Sequence, residues 1–407
     1  MTAPFFRHDQ PLLKSCEAQG NRGLWFERFY DQYNEKDWAI LKPAGNNSKE
    51  GNAHWLQTHF GNKKVGNEQQ LGQHSIAQAS LIASLEGKTC VFKTSWHLVT
   101  GMGNPHPVEN GFAWHPTLGV PYLSGAAVKG LLRSYIETHL DADQAELRQL
   151  LLHWFGSVDK DPNEVKKAEE ETQAGGLIFF DALPSKPVTL SVDIMTPHLG
   201  KWYEKGGTDK DAGKPEAIPA DWHDPVPVPF LAAKDITLQF GFSLRHAPSA
   251  KLNPIDLDDV ADALERALEQ MGAGGKTTTG YGALQRDTDA EQSAEQTRID
   301  QEKARAQAER KGQLSPEDLA HEVDLELVAA FRQQYDAANK SAYQPGSNFD
   351  RERLAFMETA GAWTDARSRA AAGELLAETM TKAWGTPGKK ERKQQINSAI
   401  QTLKGEV

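Results

Sequence analysis

The residues with the clearest chemical potential lie in segment 114–133, WHPTLGVPYLSGAAVKGLLR. This segment begins as a loop rich in Pro and Gly and continues with apolar residues at helical spacing. Ser124 occupies a favourable N-cap position, and Gly125 allows other groups to approach the first turn closely. Lys129 and Arg133 are four residues apart and share a helix face near its electropositive end. A free helix N-terminus beside such cations predicts a phosphate-binding site, although a solvated face of an ordinary core helix is the alternative.

A second candidate anion site is the glycine-rich segment 274–282, GGKTTTGYG. It is not a Walker motif, because Gln270 stands where the first glycine belongs, and because the segment is predicted to follow a helix and enter a strand. This order argues against ATP hydrolysis. Backbone amides, one lysine and hydroxyls remain as groups that bind phosphate, with a plain tight turn as the alternative. The candidate binding residues of this segment are Gly274, Gly275, Lys276, Thr277, Thr278 and Tyr281.

Aromatic and basic residues alternate in a third stretch, 196–230, which is otherwise rich in Pro, Gly and charged residues. Lys201, Trp202 and Tyr203 combine a cation with two rings, and single-stranded nucleic acid binds such surfaces because every base has a face that can stack. These three residues are therefore predicted to contact RNA. The alternative is that Trp202 and Trp222 hold the loop against its own domain.

The histidines provide the only plausible acid–base set. His97, His106, His115 and His198, together with Asp193, are the candidates, but metal-free RNA cleavage needs two proton-transfer groups at one phosphate. Nothing in their spacing indicates convergence, so we expect structural histidines and no catalytic residue. No metal-ligand spacing occurs, and no cofactor is predicted.

Composition and charge restrict the classes of protein to which the chain can belong. With 407 residues and 39% hydrophobic residues, the chain can bury a sizeable core. It has no apolar run of membrane-spanning length and only two cysteines, Cys16 and Cys90, which predicts a cytoplasmic protein with no membrane partner. The net charge is −11. Salt-driven binding to RNA by this chain alone should therefore be weak, which favours contact along one narrow face.

The predicted elements form a mixed α/β (α+β) plan. Strands are expected at 89–100, 176–180, 188–195, 236–244 and 277–284, with amphipathic helices after the first strand and at 257–271. This order matches an elaborated ferredoxin-like (RRM-like) βαββαβ domain over 89–286, with a projecting insertion at 196–230. Residues 1–88 are predicted to be a mostly helical segment that packs on this domain. Residues 287–407 are predicted to be a helical C-terminal extension.

Segment 114–133 resembles the P-x-I-P-G-S-S-x-K-G-x-x-R segment of the RAMP superfamily, the RNA-binding proteins of CRISPR systems. Segments 95–111, 179–198, 219–230 and 274–282 occur in the family's order and are similar to one subfamily, the sixth subunit of Cmr-type (type III-B) CRISPR effector complexes. One difference concerns the usual Pro-Gly-Ser-Ser, which is Ser124-Gly125-Ala126-Ala127 in this chain. Two hydroxyls that could bond a phosphate are therefore missing.

The resemblance implies a RAMP domain with the same ferredoxin-like plan and a glycine-rich loop that lies against guide RNA. It implies a non-catalytic subunit that holds the guide RNA towards its 3′ end for defence against foreign nucleic acid. The implied partners are guide and target RNA and other RAMP subunits, one of which would cleave the target. A metal-independent endoribonuclease that matures guide RNA and a protein-only scaffold remain the alternatives.

Overall fold

The computed structural model describes residues 16, 20–34, 36–41, 50–157, 173–206, 210, 213–220, 222–223, 225–245, 255–338, 346–383 and 390–405. The chain forms two compact units, 1–299 and 300–407. Segment 159–173, expected to be a mobile insertion, lies almost wholly outside the described residues, as does most of the Gly/Asn-rich stretch 45–52.

The first unit contains helices and strands in mixed order. Its strands are β1 (Lys64–Val65), β2 (Lys88–Thr94), β3 (His97–Leu98), β4 (Leu177–Phe179), β5 (Leu183–Pro184), β6 (Val188–Met195), β7 (Val228–Lys234), β8 (Thr237–Leu244) and β9 (Leu284–Arg286). Its helices are α1 (Arg22–Arg28), α2 (Asn52–His59), α3 (Glu68–Ser84), α4 (Gly125–His139), α5 (Gln144–Phe155), α6 (Gly200–Lys205) and α7 (Leu257–Gln270), and α8 (Thr288–Gly312) crosses the division between the units.

One antiparallel sheet has the order β4–β8–β2–β9, with β5 also paired to β8. Helix α4 lies between β2 and β4 in the chain, and α7 lies between β8 and β9. This βαββαβ order with β8 and β2 in the centre is the ferredoxin-like arrangement, and it confirms the predicted fold class. The apolar faces of α4 and α7 share one core with the sheet, through residues such as Leu132, Leu264 and Phe240.

A second antiparallel sheet, β1–β6–β7–β3, was not predicted. Strand 188–195 was expected beside 176–180 in the ferredoxin-like sheet, but it pairs with β7, with Met195 opposite Val228. Residues 228–230, assigned to the polar insertion, begin β7, which is buried from Val228 to Ala233. A strand covered on both faces shows no polar–apolar alternation, so the sequence pattern did not reveal it.

Two further boundaries were wrong. The strand predicted at 89–100 is two strands, β2 and β3, which belong to different sheets. The strand predicted at 277–284 begins only at Leu284, and a 3₁₀ turn occupies Thr277–Thr279. Lys276, Gly280 and Gly282 have φ angles of 58°, 94° and 71°, and this left-handed backbone cannot continue an extended strand.

The N-terminal aromatic residues are part of the core of the first unit. Phe26 is fully buried, its ring stacks on His106 at 3.9 Å between centroids, and Trp55 and Trp114 lie about its other sides. These aromatic residues share one cluster with Phe92, Phe240 and other sheet residues. The division of the chain at 88 and at 286 stays a prediction.

The second unit consists of α9 (Pro316–Ala337), α10 (Asn348–Gly361), α11 (Ala366–Ala383) and α12 (Lys390–Lys404), together with the end of α8. Its core is aromatic and aliphatic, and a completely buried ion pair joins Arg353 to Asp350. A basic stretch near the end of the sequence comprises Lys389, Lys390, Arg392 and Lys393, and the first of these lies outside the described residues. Among the helices the structure describes, none has the length and apolar character needed to cross a bilayer.

Candidate nucleic-acid interface

The start of α4 is built as predicted, but it is not a free anion site. The Ser124 hydroxyl caps the helix by accepting the Ala127 amide at 3.2 Å. The Gly125 amide donates to Oδ1 of Asp181 at 2.7 Å, and a Cβ at Gly125 would lie 2.4 Å from the Phe179 carbonyl oxygen. Because a carboxylate of the chain already occupies this position and repels phosphate, the predicted anion site of free amides is wrong.

The two cations of α4 differ in their surroundings. Arg133 pairs through Nε with Oε1 of Glu137 at 2.7 Å, one turn further along the helix. Lys129 is half-buried, and its ammonium group makes no ion pair or hydrogen bond with the residues that the structure describes. Lys129 therefore keeps a charge available to a ligand, whereas most of the charge of Arg133 is neutralised within the helix.

The glycine-rich segment is held against the chain that follows β3. The Gly275 amide donates to the Val99 carbonyl at 2.7 Å. Gly274 has a φ of 85°, and a Cβ there would lie 2.1 Å from the same oxygen, so only glycine fits. Since the Gly275 amide is engaged, the predicted nest of free amides is wrong at this residue. Among the residues that the structure describes, the hydroxyls of Thr277 and Thr278 have no hydrogen-bond partner, so they are available to a ligand.

Lys276 places an unneutralised cation on this loop. Its Nζ lies 3.7 Å from Sδ of Met195 and 5.3 Å from the centre of the Phe230 ring. The sulfur and the ring face hold the ammonium group, but neither carries a formal negative charge. Because Met195 ends β6 and Phe230 lies in β7, Lys276 sits at the base of the 196–227 projection.

Tyr281 does not occupy the surface position that a base-contacting residue needs. Its ring is buried with Val99 and Phe230, and its hydroxyl donates to Oδ2 of Asp193. Burial, followed by the Asp193 carboxylate, raises the pKa of Tyr281 far above its ordinary value. A base cannot stack on a buried ring, so the prediction that Tyr281 contacts RNA is corrected to a supporting role beneath the loop.

The predicted aromatic projection is a short helix rather than a loop. Lys201, Trp202 and Tyr203 lie on α6, where Tyr203 is 74% exposed and its ring is 4.9 Å from that of the half-buried Trp202. Nε1 of Trp222 donates to the Pro215 carbonyl at 3.2 Å. Trp222 therefore joins two parts of the same segment to each other. Tyr203 and Lys201 thus offer an exposed ring and an exposed cation two residues apart.

One short segment connects the glycine-rich loop to the start of α4. Val99 accepts the Gly275 amide, and the hydroxyl of the next residue, Thr100, donates to the Tyr122 carbonyl at 3.0 Å. Tyr122 lies two residues before the N-cap Ser124. These adjacent hydrogen bonds fix the two predicted anion-binding elements relative to each other.

The candidate acid–base residues occupy structural positions. His106 stacks inside the aromatic core, and its Nε2 lies 2.8 Å from the Phe26 carbonyl oxygen. Nδ1 of His115 accepts the Leu118 amide at 3.2 Å in a tight loop. Burial is the largest cause that lowers the pKa of His97, His106 and His115. Within the described part of the chain, no group of three or more His, Cys, Asp and Glu side chains could hold a metal ion.

Two residues of this surface were missed by sequence reasoning. Asp181 fills the start of α4 from 56 positions further along the chain, and no local pattern signals such a contact. Trp96 lies between β2 and β3 and is 45% exposed beside Tyr281. The apolar pattern around it suggested an uninterrupted strand, which hid the turn that exposes it.

Comparison with known proteins agrees with the fold. The family model described as RAMP superfamily matches residues 89–285. A CRISPR system Cmr subunit Cmr6 from Pyrococcus furiosus is 27% identical over 250 residues, which are 50% of this chain and 69% of that protein. A CRISPR system CMR subunit Cmr6 from Saccharolobus solfataricus is 30% identical over 112 residues, which are 27% of this chain and 31% of that protein.

Two solved structures are also similar. The crystal structure of Cmr6 from Pyrococcus furiosus is 25% identical, with a TM-score of 0.27 over 49% of this chain and 97% of that one. A chain in the cryo-EM structure of the Type III-B Cmr-beta bound to cognate target RNA is 18% identical, with a TM-score of 0.38 over 55% of this chain and 66% of that one.

The ferredoxin-like sheet, the glycine-rich loop after α7 and the family match together define a RAMP domain, and residues 89–285 of the chain belong to the RAMP superfamily. Within that superfamily it is of the Cmr6 type, since both curated relatives are Cmr6 subunits.

Proposed function

We propose that this chain is a non-catalytic RNA-binding subunit of a type III-B CRISPR effector complex. In that role it holds the guide RNA towards its 3′ end, contacts target RNA and lies beside other RAMP subunits. Support comes from the relatives named Cmr6 and from the similar complex described as bound to target RNA.

The observation that carries this proposal is the position of Lys276. In the described part of the chain its charge has no carboxylate partner, and it stands on a loop whose backbone is fixed by the Val99 carbonyl. A lysine side chain that is already held in place loses little conformational freedom when it binds a ligand. On binding a phosphate, the ammonium group exchanges its weak contacts with the sulfur and the ring for a charge-assisted hydrogen bond. The free hydroxyls of Thr277 and Thr278 can donate to the same phosphate.

The second contact is made by the projection. Tyr203 offers an exposed ring on which a base can stack, and Lys201 offers a cation for an adjoining phosphate. Lys129 on α4 adds a third free charge. The polar groups of three other predicted residues are already engaged within the chain. Ser124 and Gly125 form the start of helix α4, and Arg133 pairs with Glu137 along it, so these residues support the surface and do not bind RNA themselves.

The charge of the whole chain limits the strength of this contact. A net charge of −11 repels a phosphate backbone, so only the face with free lysines can approach RNA favourably. We therefore expect weak binding by the separated chain and stable guide retention in the complex, where neighbouring subunits contribute further cations.

The test is the double variant Lys129→Ala with Lys276→Ala, purified in complex from the native host. It should retain less guide RNA per protein than the wild type while its melting temperature stays the same. A control that removes two exposed lysines elsewhere, Lys63→Ala with Lys303→Ala, should retain the guide normally. Normal guide occupancy in the first variant would contradict the proposal.

A further inference from the structure

Trp96 is an exposed aromatic residue at the point where the chain passes from one sheet to the other. Strand β2 ends at Thr94, β3 begins at His97, and the Trp96 side chain between them remains 45% exposed. We propose that Trp96 is a stacking platform for one unpaired base of the bound RNA. This inference rests on the proposed function and adds a base contact that no sequence pattern indicated.

The backbone at Trp96 is fixed on both sides. The Ser95 amide donates to the Ala283 carbonyl at 2.9 Å, next to the glycine-rich loop. The Trp96 carbonyl accepts the Asp235 amide at 3.3 Å and the Thr94 hydroxyl at 3.2 Å. A tryptophan on such a backbone has only its two side-chain torsions to lose on binding.

The ring itself is supported from beneath. Its centroid lies 4.7 Å from that of Tyr281, with 42° between the planes, and 4.6 Å from that of His97 in an edge-on contact. Tyr281 is in turn fixed by its hydrogen bond to Asp193 and by the Phe230 ring at 5.8 Å. The indole is therefore held in position while nearly half of its surface remains open to a ligand.

The Trp96 platform is connected through aromatic rings to Lys276, the cation of the glycine-rich loop. A continuous row of contacts runs from Trp96 through Tyr281 to Phe230, over which Nζ of Lys276 lies. A single strand whose phosphate meets Lys276 can turn a nearby base onto the indole. Stacking tolerates any base, which suits a guide whose sequence varies.

Equilibrium binding of labelled single-stranded RNA to the purified full chain at low salt tests the assignment. Trp96→Ala should weaken binding about 5- to 150-fold, the range for losing one stacked base. Trp96→Phe should recover most of the affinity. Trp38→Ala is the matched control, because Trp38 is 58% exposed and its ring packs edge-on against that of Tyr33. It should leave binding unchanged.

Three further readouts separate stacking from charge and from folding. The salt dependence of binding should be the same in Trp96→Ala as in the wild type, because no cation is lost. An RNA series with one abasic position at a time should contain a position at which wild type and Trp96→Ala bind equally. Equal melting temperatures of Trp96→Phe and the wild type show that the loop is intact.

The outcomes distinguish this inference from the proposed function. If the wild type does not bind RNA at low salt, the proposed function fails and the platform fails with it. If Lys276→Ala weakens binding but Trp96→Ala does not, the function stands and the platform is refuted. Normal RNA affinity of Trp96→Ala combined with loss of a neighbouring subunit would assign the ring to a protein interface and also overturn the platform.

Discussion

Replacing Lys276 with methionine tests the proposed interface with little disturbance of the fold. Methionine keeps an unbranched side chain that can pack on Met195 and Phe230, where Nζ lies 3.7 Å from the sulfur and 5.3 Å from the ring centre. The left-handed backbone, with a φ of 58°, costs a lysine and a methionine about the same. The substitution therefore removes the charge and leaves the loop in place.

The size of the effect follows from the surroundings of Lys276. Its charge has no ion-pair partner among the described residues, so none of the ion pairs seen there must break before it binds a phosphate. A hydrogen bond to a charged group contributes about 1.5–3 kcal/mol, which corresponds to roughly 10- to 150-fold in affinity. One phosphate contact fewer on a single strand should also reduce the slope of log K against log salt by about 0.7.

The assay is a salt titration of single-stranded RNA binding by wild type, Lys276→Met and Lys63→Met. Lys63 is exposed and carries the same charge, so its replacement controls for the change in net charge. Lys63→Met should keep the wild-type slope. An unchanged slope and affinity for Lys276→Met, with RNA still bound, would refute the assignment of a phosphate to this lysine.

Three other substitutions test the account of the fold. Gly274→Ala should lower the unfolding free energy by about 1–3 kcal/mol more than Gly280→Ala. Both glycines have a positive φ, but only a Cβ at Gly274 would meet another atom within 4 Å. Equal urea midpoints for the two variants would contradict this. Burial lowers the pKa of His106 in the folded protein. As the pH falls below about 6.5, this histidine therefore takes up a proton more readily in the unfolded chain than in the folded one. The free energy of unfolding then decreases by up to about 1.4 kcal/mol per pH unit. His106→Gln should make urea unfolding less dependent on pH between 7 and 5, and an unchanged dependence would show that this ring does not titrate on unfolding. Asp350→Ala should destabilise the second unit by about 3–5 kcal/mol because it removes a carboxylate that is paired with the completely buried Arg353 guanidinium, whereas Glu378→Ala in a more exposed pair should cost less than about 1 kcal/mol. Calorimetry that finds similar losses would refute the distinction.

Local sequence patterns were sufficient to predict those helices and strands whose caps and apolar periodicity lie within one continuous stretch of sequence. Helix α4 begins at the predicted cap because the Ser124 hydroxyl reaches an amide three residues away. Helix α7 buries the residues at its apolar spacing, and strand β8 lies where the alternation predicted it, although the polar residues Gln239 and Ser243 are buried as well. The ferredoxin-like order could be predicted because these elements alternate along the chain in the order of that fold.

The second sheet could not be predicted in this way. Strands β6 and β7 are separated by the projection, so their pairing depends on tertiary contacts that no local window contains. Strand β7 is buried on both faces and includes Pro229, which makes it look like a loop in the sequence. The break at Ser95–Trp96 was missed for a similar reason, since the next strand pairs in another sheet.

The candidate surface was predicted in part. The glycines and the lysine of the segment 274–278 identified this loop as a candidate site. Glycine readily adopts the left-handed backbone that the loop requires, and lysine supplies its positive charge. Residue type alone could not show that Asp181 occupies the Gly125 amide or that Tyr281 is buried beneath the loop, because those facts depend on residues far away in sequence.

The most direct measurement is crosslinking of RNA to protein, followed by mass spectrometry, on the complex that co-purifies with the tagged chain from its native host. The account predicts repeat-derived guide RNA together with other RAMP subunits. It also predicts crosslinks in the segment 272–282 and on α6 (Gly200–Lys205). A complex without RNA, or crosslinks confined to residues 300–407, would contradict the central claim.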